Sequence, residues 1–385
     1  MKRGVCIMHD FLIRGGHVID PARGVDDVRD VAVKNGKIVE AAGEDAANVI
    51  DATGTYVMPG LIDAHAHSYY AGSGLGVQPD FQVSTGVTTV LDAGTAGWSN
   101  YPAFHNTTVV NSRVKVKALI GYNNSGQIEL GYMENYHRDS IQVEKIRRVL
   151  EHYKGEVLGL KLRFQQEVVG EDGLHYLEEM IAVANEVGCP VTVHTTNPPV
   201  PASVIANLLR PGDIYCHCFQ GRSNLIVNEN GDIYPEILKA RERGVLFDAA
   251  NGTGNFAFRA AVPALKAGFL PDIISADNAP NSYGLDLYAK NLPFVMSKYL
   301  TLGMSLYDVV RCTTENPAKV LKMEGKIGTL KPGACADVAI MKLVHKKQVF
   351  WDSVKNPTTA IEGDVILVPQ MTLLDGDVAF RANDF

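Results

Sequence analysis

No stretch of this sequence stays apolar for the roughly 20 consecutive residues that a membrane-crossing helix needs. No export signal is expected either. Lys2 and Arg3 open the chain, but charged residues soon break the apolar run behind them and no small-residue cleavage site follows. Positive charge is in short supply: 36 Lys and Arg against 43 Asp and Glu leave a net charge of −7. That balance speaks against nucleic acid as a partner, because phosphate binding needs a basic stripe. Cysteine is sparse. The six (Cys6, Cys189, Cys216, Cys218, Cys312, Cys335) are scattered, and the Cys216-x-Cys218 spacing lacks the second pair of a structural metal site. Buried free thiols in a reducing cytoplasm are therefore expected. Short internal repeats and low-complexity tracts are absent.

What remains is an ordinary globular composition, 46% hydrophobic and 21% charged. A length of 385 residues exceeds one compact core and suits a barrel with a satellite domain. Residues 1–57 read as short strands, with an Asn-Gly turn at Asn35 and Gly36. Residues 326–385 are again rich in Val and Ile with Gly punctuation, so both ends are expected to pair into one β-sandwich.

Between them, residues 58–325 alternate apolar strands with amphipathic stretches, the mark of parallel βα units. Strand candidates are LIDAHAHS, GVTTVLDAG, RVKVKALIGY, VLGLKLRF, CPVTVHTT, DIYCHCFQ, GVLFDAA and DIISADN. Eight is the number that closes a TIM-type (β/α)8 barrel, an α/β fold. Polar residues fall late in these strands, where such a barrel places its chemistry.

His65 and His67 lie two apart on the first of these strands, so both imidazoles point into the barrel. Neutral imidazole suits zinc and similar divalent metals. Lys161, His194, His217 and Asp277 sit at comparable strand ends. Each has a plain reading on its own: a salt-bridged lysine, a core histidine bonded to a carbonyl, an aspartate capping a helix. By strand alternation Cys216 and Cys218 are expected to face away from His217.

The phrase VMPGLIDAHAHS resembles the first-strand signature of the amidohydrolase superfamily, in its dihydroorotase, dihydropyrimidinase and deacetylase branches. The resemblance continues in order along the barrel through Lys161 in GLKLR, His194 in VTVHTT, His217 in IYCHCF and Asp277 in ISADN. It implies two divalent metal ions, zinc by default, held by His65, His67, Lys161, His194, His217 and Asp277, with Lys161 carbamylated to bridge them. A bare lysine would repel a cation, whereas its carbamate is a carboxylate-like ligand. Metals about 3.5–4 Å apart activate water and polarise a carbonyl together. Asp277 is then the catalytic acid–base group.

Arg163 shares the inward face with Lys161 and could bind a substrate carboxylate, unless it is tied up in a structural ion pair. Asn123 ends the third strand, and Asn251, Gly252 and Gly254 sit in NGTGNF, where glycines let backbone amides approach a ligand. A His-Gly-x-Gly pattern belongs here in the deacetylase-like branch, so Asn251 is a departure that leaves its substrate preference in doubt.

The expected activity is hydrolysis of an amide or ester, as in removing acetyl from N-acetyl amino acids or acetylated hydroxy acids. Cyclic amide hydrolysis of the dihydroorotase or hydantoinase type is the rival. A nucleobase deaminase fits less well, and a scaffold relative that has lost its ligands fits least. The expected partner is a small carboxylate-bearing molecule, with neither nucleic acid nor membrane, and homo-oligomers are common among such barrels.

Overall fold

The structure is a computed structural model describing residues 8–41, 46–129, 131–285, 288–352 and 359–385; Cys6 lies outside them. Strands β1 (His9–Asp20), β2 (Val25–Lys34), β3 (Lys37–Val39), β4 (Ala46–Asp51) and β5 (Tyr56–Pro59) come from the N-terminal part. Asn35 and Gly36 turn β2 into β3 with φ of 51° and 71°, as the Asn-Gly pair predicts.

The barrel strands are β6 (Leu61–Ala66), β7 (Val87–Gly97), β8 (Lys115–Gly121), β9 (Val157–Arg163), β10 (Val191–His194), β11 (Ile214–Cys216) and β12 (Leu246–Asp248). The C-terminal part adds β13 (Val338–Trp351), β14 (Ala360–Leu374) and β15 (Asp377–Arg381).

The two chain ends come together in one hydrogen-bonded sheet of eight strands. Its order is β15-β14-β13-β5-β1-β2-β3, with β4 also on β1. The short β5 stitches the ends: Val57 pairs with Val18 on one side and with Ile340 on the other. Val18, Val33, Val57, Val338, Ile340 and Leu373 bury their side chains in one apolar cluster there. β5 hydrogen-bonds on both edges, so the two chain ends share one continuous sheet.

The other sheet is parallel, β6 through β12 in sequence order. β7 is buried along its whole length, as a strand covered on both faces must be. The eighth position is filled by the extended run Ile273–Asn278. Ile273 bridges to Asp248 and Asn278 to Ala66, while the Asp277 amide donates to the His65 carbonyl at 2.9 Å. That run closes the ring. All eight sequence candidates thus lie where a barrel needs them. Helix Leu174–Val187 packs Leu177, Met180 and Ala184 inward and stops at Gly188, whose φ of 71° suits a left-handed cap. No helix among the described residues is long and apolar enough to cross a membrane.

Candidate metal centre

Two cavities occupy the barrel's ends. The larger, about 560 Å³, is lined by Leu91, Leu119, Ile214 and Ile273, and its Arg210 and Asp213 are spent on an ion pair with each other. The smaller, about 280 Å³, opens at the C-terminal strand ends and is lined by all six sequence-predicted ligands. Chemistry belongs to the smaller one, because the histidines, Lys161 and Asp277 meet there at the C-terminal strand ends.

His65, on β6, and His67, just beyond it, are 2% and 6% exposed. Their Nε2 atoms lie 3.5 and 3.3 Å from Asp277 Oδ1. Lys161 on β9 brings Nζ to 3.1 Å from His65 Nε2. His194 ends β10, and its ring lies 4.3 Å from that of His217, centroid to centroid. His217 and Asp277 are non-glycine residues with φ of 64° and 51°. Such backbone costs about 1–3 kcal/mol and persists where surrounding structure enforces it, often at functional sites.

Outer partners set the tautomers. His217 Nδ1 meets the Ala250 carbonyl at 2.8 Å, so Nδ1 carries the proton and Nε2 presents a lone pair. His65 Nδ1 meets Asp248 Oδ2 at 3.1 Å, with the same result. Thr95 Oγ1 holds His67 Nδ1 at 2.9 Å. Burial keeps His65 and His194 well below the usual histidine range and pushes His217 down to about 3. These imidazoles are neutral, as metal ligands must be. Burial raises the Asp277 carboxyl, and against it the hydrogen bond with His67 acts to lower it.

A metal fits these residues on a specific ground. The Nε2 atoms of His194 and His217 are buried without a hydrogen-bond partner among the described residues. A buried polar atom left alone costs free energy that a cation would return. Two donor groups also have ligand spacing: His65, His67 and Asp277, and His65, Cys216 and His217.

Cys216 departs from expectation. Its Sγ lies 3.1 Å from His65 Nδ1 and 3.8 Å from Lys161 Nζ, inside the barrel. The left-handed turn at His217 breaks the period of two, so Cys216 and His217 both face inward. Sequence reasoning also misses Asp248, although it ends GVLFDAA just where a polar strand end signals chemistry. Burial lifts its carboxyl to about 6. Asn255, donating to Asp277 Oδ2 at 2.7 Å, carries no signal beyond its glycine-rich neighbours.

The substrate contacts expected from sequence divide. Arg163 and Gly254 line the cavity. Arg163 is not a free cation, however: its Nη1 lies 3.3 Å from Glu134 Oε2, whose side chain is 2% exposed. The nearby Arg222 is likewise paired, with Glu167. A substrate carboxylate would therefore share Arg163 with Glu134 instead of meeting an unbalanced cation. Asn123, Asn251 and Gly252 lie off the cavity wall. Asn123 accepts from the Gly126 amide at 2.6 Å and closes its own turn. Asn251 is fully buried and accepts from Lys298 Nζ at 3.1 Å. The Gly252 amide is spent on the Ala276 carbonyl at 3.0 Å.

Comparison with known proteins agrees with this geometry. Residues 217–378 match the amidohydrolase family. A deacetylase of Agrobacterium fabrum is 30% identical over 308 residues, 79% of this chain and 74% of that protein. A crystal structure of an adenine deaminase superposes with a TM-score of 0.87 at 26% identity, covering 97% of this chain and 100% of that one. One of a dihydroorotase gives 0.85 at 25% identity, covering 97% and 99%. A barrel with inward histidines and an aspartate at its strand ends, and relatives matched over most of its length, place the chain in the amidohydrolase family of metal-dependent hydrolases acting on C–N bonds.

Proposed function

We propose that His65, His67, Lys161, His194, His217 and Asp277 hold two divalent ions, zinc by default, with Lys161 as a bridging carbamate. The observation that carries this is the pair of buried, unpartnered Nε2 atoms on His194 and His217. They face a site whose other side is already furnished with His65, His67 and Asp277, with Lys161 3.1 Å from His65. When bound, the ions supply water activation and carbonyl polarisation. Asp277 Oδ1 then takes the proton of the attacking water and passes it to the leaving group. The buried walls exclude bulk water and strengthen each of these contacts.

In this reading residues 58–325 form the catalytic unit, with 1–57 and 326–385 as its flanking unit. The substrate is a small acetylated amide or ester, an N-acetyl amino acid or acetylated hydroxy acid. A cavity of about 280 Å³ suits a molecule of that size, and a deacetylase is among the relatives. A carboxylate on such a substrate would share Arg163 and Arg222 with Glu134 and Glu167, beside the side-chain amides of Gln127, Gln165 and Asn281. Likeness to a dihydroorotase structure favours one rival, cyclic amide opening. A reducing cytoplasm suits the free thiols Cys189, Cys216, Cys218, Cys312 and Cys335.

Turnover of N-acetyl amino acids, acetyl hydroxy acids, dihydroorotate and hydantoins by zinc-loaded protein tests the assignment. Acetate release from the first two classes supports it. Ring opening alone replaces it with the rival.

A further inference from the structure

We propose that Asn255 is the positioning residue of Asp277, fixing which carboxylate oxygen faces the metal centre. The inference rests on the reading of Asp277 as a metal ligand. Asn255 Nδ2 donates to Asp277 Oδ2 at 2.7 Å, and its Oδ1 accepts from Thr196 Oγ1 at 2.7 Å. A carboxylate only accepts, so the amide must turn its nitrogen toward Asp277, and the Thr196 hydroxyl then locks the other end. With Oδ2 engaged, Oδ1 alone is left to His65 and His67, at 3.5 and 3.3 Å. Free rotation of the carboxylate would otherwise exchange the two oxygens.

The loop is pressed into this arrangement. A Cβ on Gly252 would stand 2.4 Å from Asp277 Oδ2 and 2.8 Å from Asn255 Nδ2, and its φ of 50° already disfavours a side chain. Behind it, Asn251 is anchored by Lys298 Nζ at 3.1 Å. Thr196 and Asn255 thus connect the end of β10 to the last barrel segment, across the cavity that both line.

Outer partners of a metal ligand typically carry 10–100-fold in metal affinity. Zinc affinity, measured by chelator competition, should fall by about that factor in Asn255→Leu, which keeps volume and removes the donor. Thr196→Val should lose less, and it serves should Asn255→Leu fold poorly. Cobalt-loaded protein should show an altered visible d–d spectrum in Asn255→Leu. In an Asp277→Asn background, adding Asn255→Leu should change neither affinity nor spectrum further. Unchanged zinc affinity and cobalt spectrum in Asn255→Leu would overturn the proposal. So would a loss that multiplies that of Asp277→Asn. If Asp277→Asn alone binds zinc like the wild type, the ligand reading of Asp277 fails, and that result is distinct from either.

Discussion

On the Asp277 side of the cavity the inward polar atoms are held by protein, while the buried Nε2 atoms of His194 and His217 have no hydrogen-bond partner among the described residues. Asp277 is contacted by His65, His67 and Asn255, and His65 by Asp248, Cys216 and Lys161. His194 and His217 each leave a buried nitrogen unpartnered. The first half is a preorganised network whose members depend on each other. The second half carries a desolvation penalty that a bound cation would offset. Preorganised groups need no rearrangement during turnover, whereas unpaired polar atoms mark where a ligand is still to come.

The largest expected effect falls on the networked half. Asp277→Asn should retain the fold but cut turnover by roughly 10²–10⁴-fold, the usual share of acid–base catalysis. Steady-state kinetics on the best substrate of the panel checks this, and near-normal turnover with intact metal would move the role elsewhere.

Stability of the metal-free protein then separates the halves. His65→Leu strips partners from Asp248, Lys161 and Cys216 and should cost on the order of 3 kcal/mol by urea unfolding. His194→Leu replaces an unsatisfied imidazole with an apolar side chain and should stay within about 1 kcal/mol of wild type. Equal losses would erase the distinction.

Much of this site is legible in the sequence. Lys161 sits on a regular strand, where alternation predicts an inward side chain, whereas His65 lies at a register shift of β6 and is placed by motif. His217 and Asp277 are placed by motif, which says nothing of their left-handed backbone. That same turn defeats the expectation for Cys216, because a period of two fails at a residue with φ of 64°. Arg163 does reach the cavity as its strand position predicts. Its partner Glu134 lies 29 positions away in a segment without strand or helix signal, so the pairing has no sequence signature. The chain ends do join as their composition suggests, and it is hydrogen bonding on both edges of β5 that links them into one continuous sheet.

A smaller effect concerns Lys298, which braces the loop behind Asp277. Burial pushes its ammonium down to about 7, while an unfolded lysine titrates near 10.4. Between those values the unfolded chain binds a proton that the folded protein has released, so stability from this group rises with pH. Relative to Lys298→Met, the wild type should gain about 1–2 kcal/mol between pH 7 and pH 9. Parallel pH profiles for the two proteins would place the Lys298 proton elsewhere.

The central claim is that the two halves hold one metal each around Lys161, and metal counting tests it most directly. Elemental analysis of wild type and Lys161→Ala, loaded with zinc in bicarbonate and freed of excess, should give about two ions per chain for the first and one or fewer for the second. One ion or none in the wild type, or two retained without Lys161, would contradict the account.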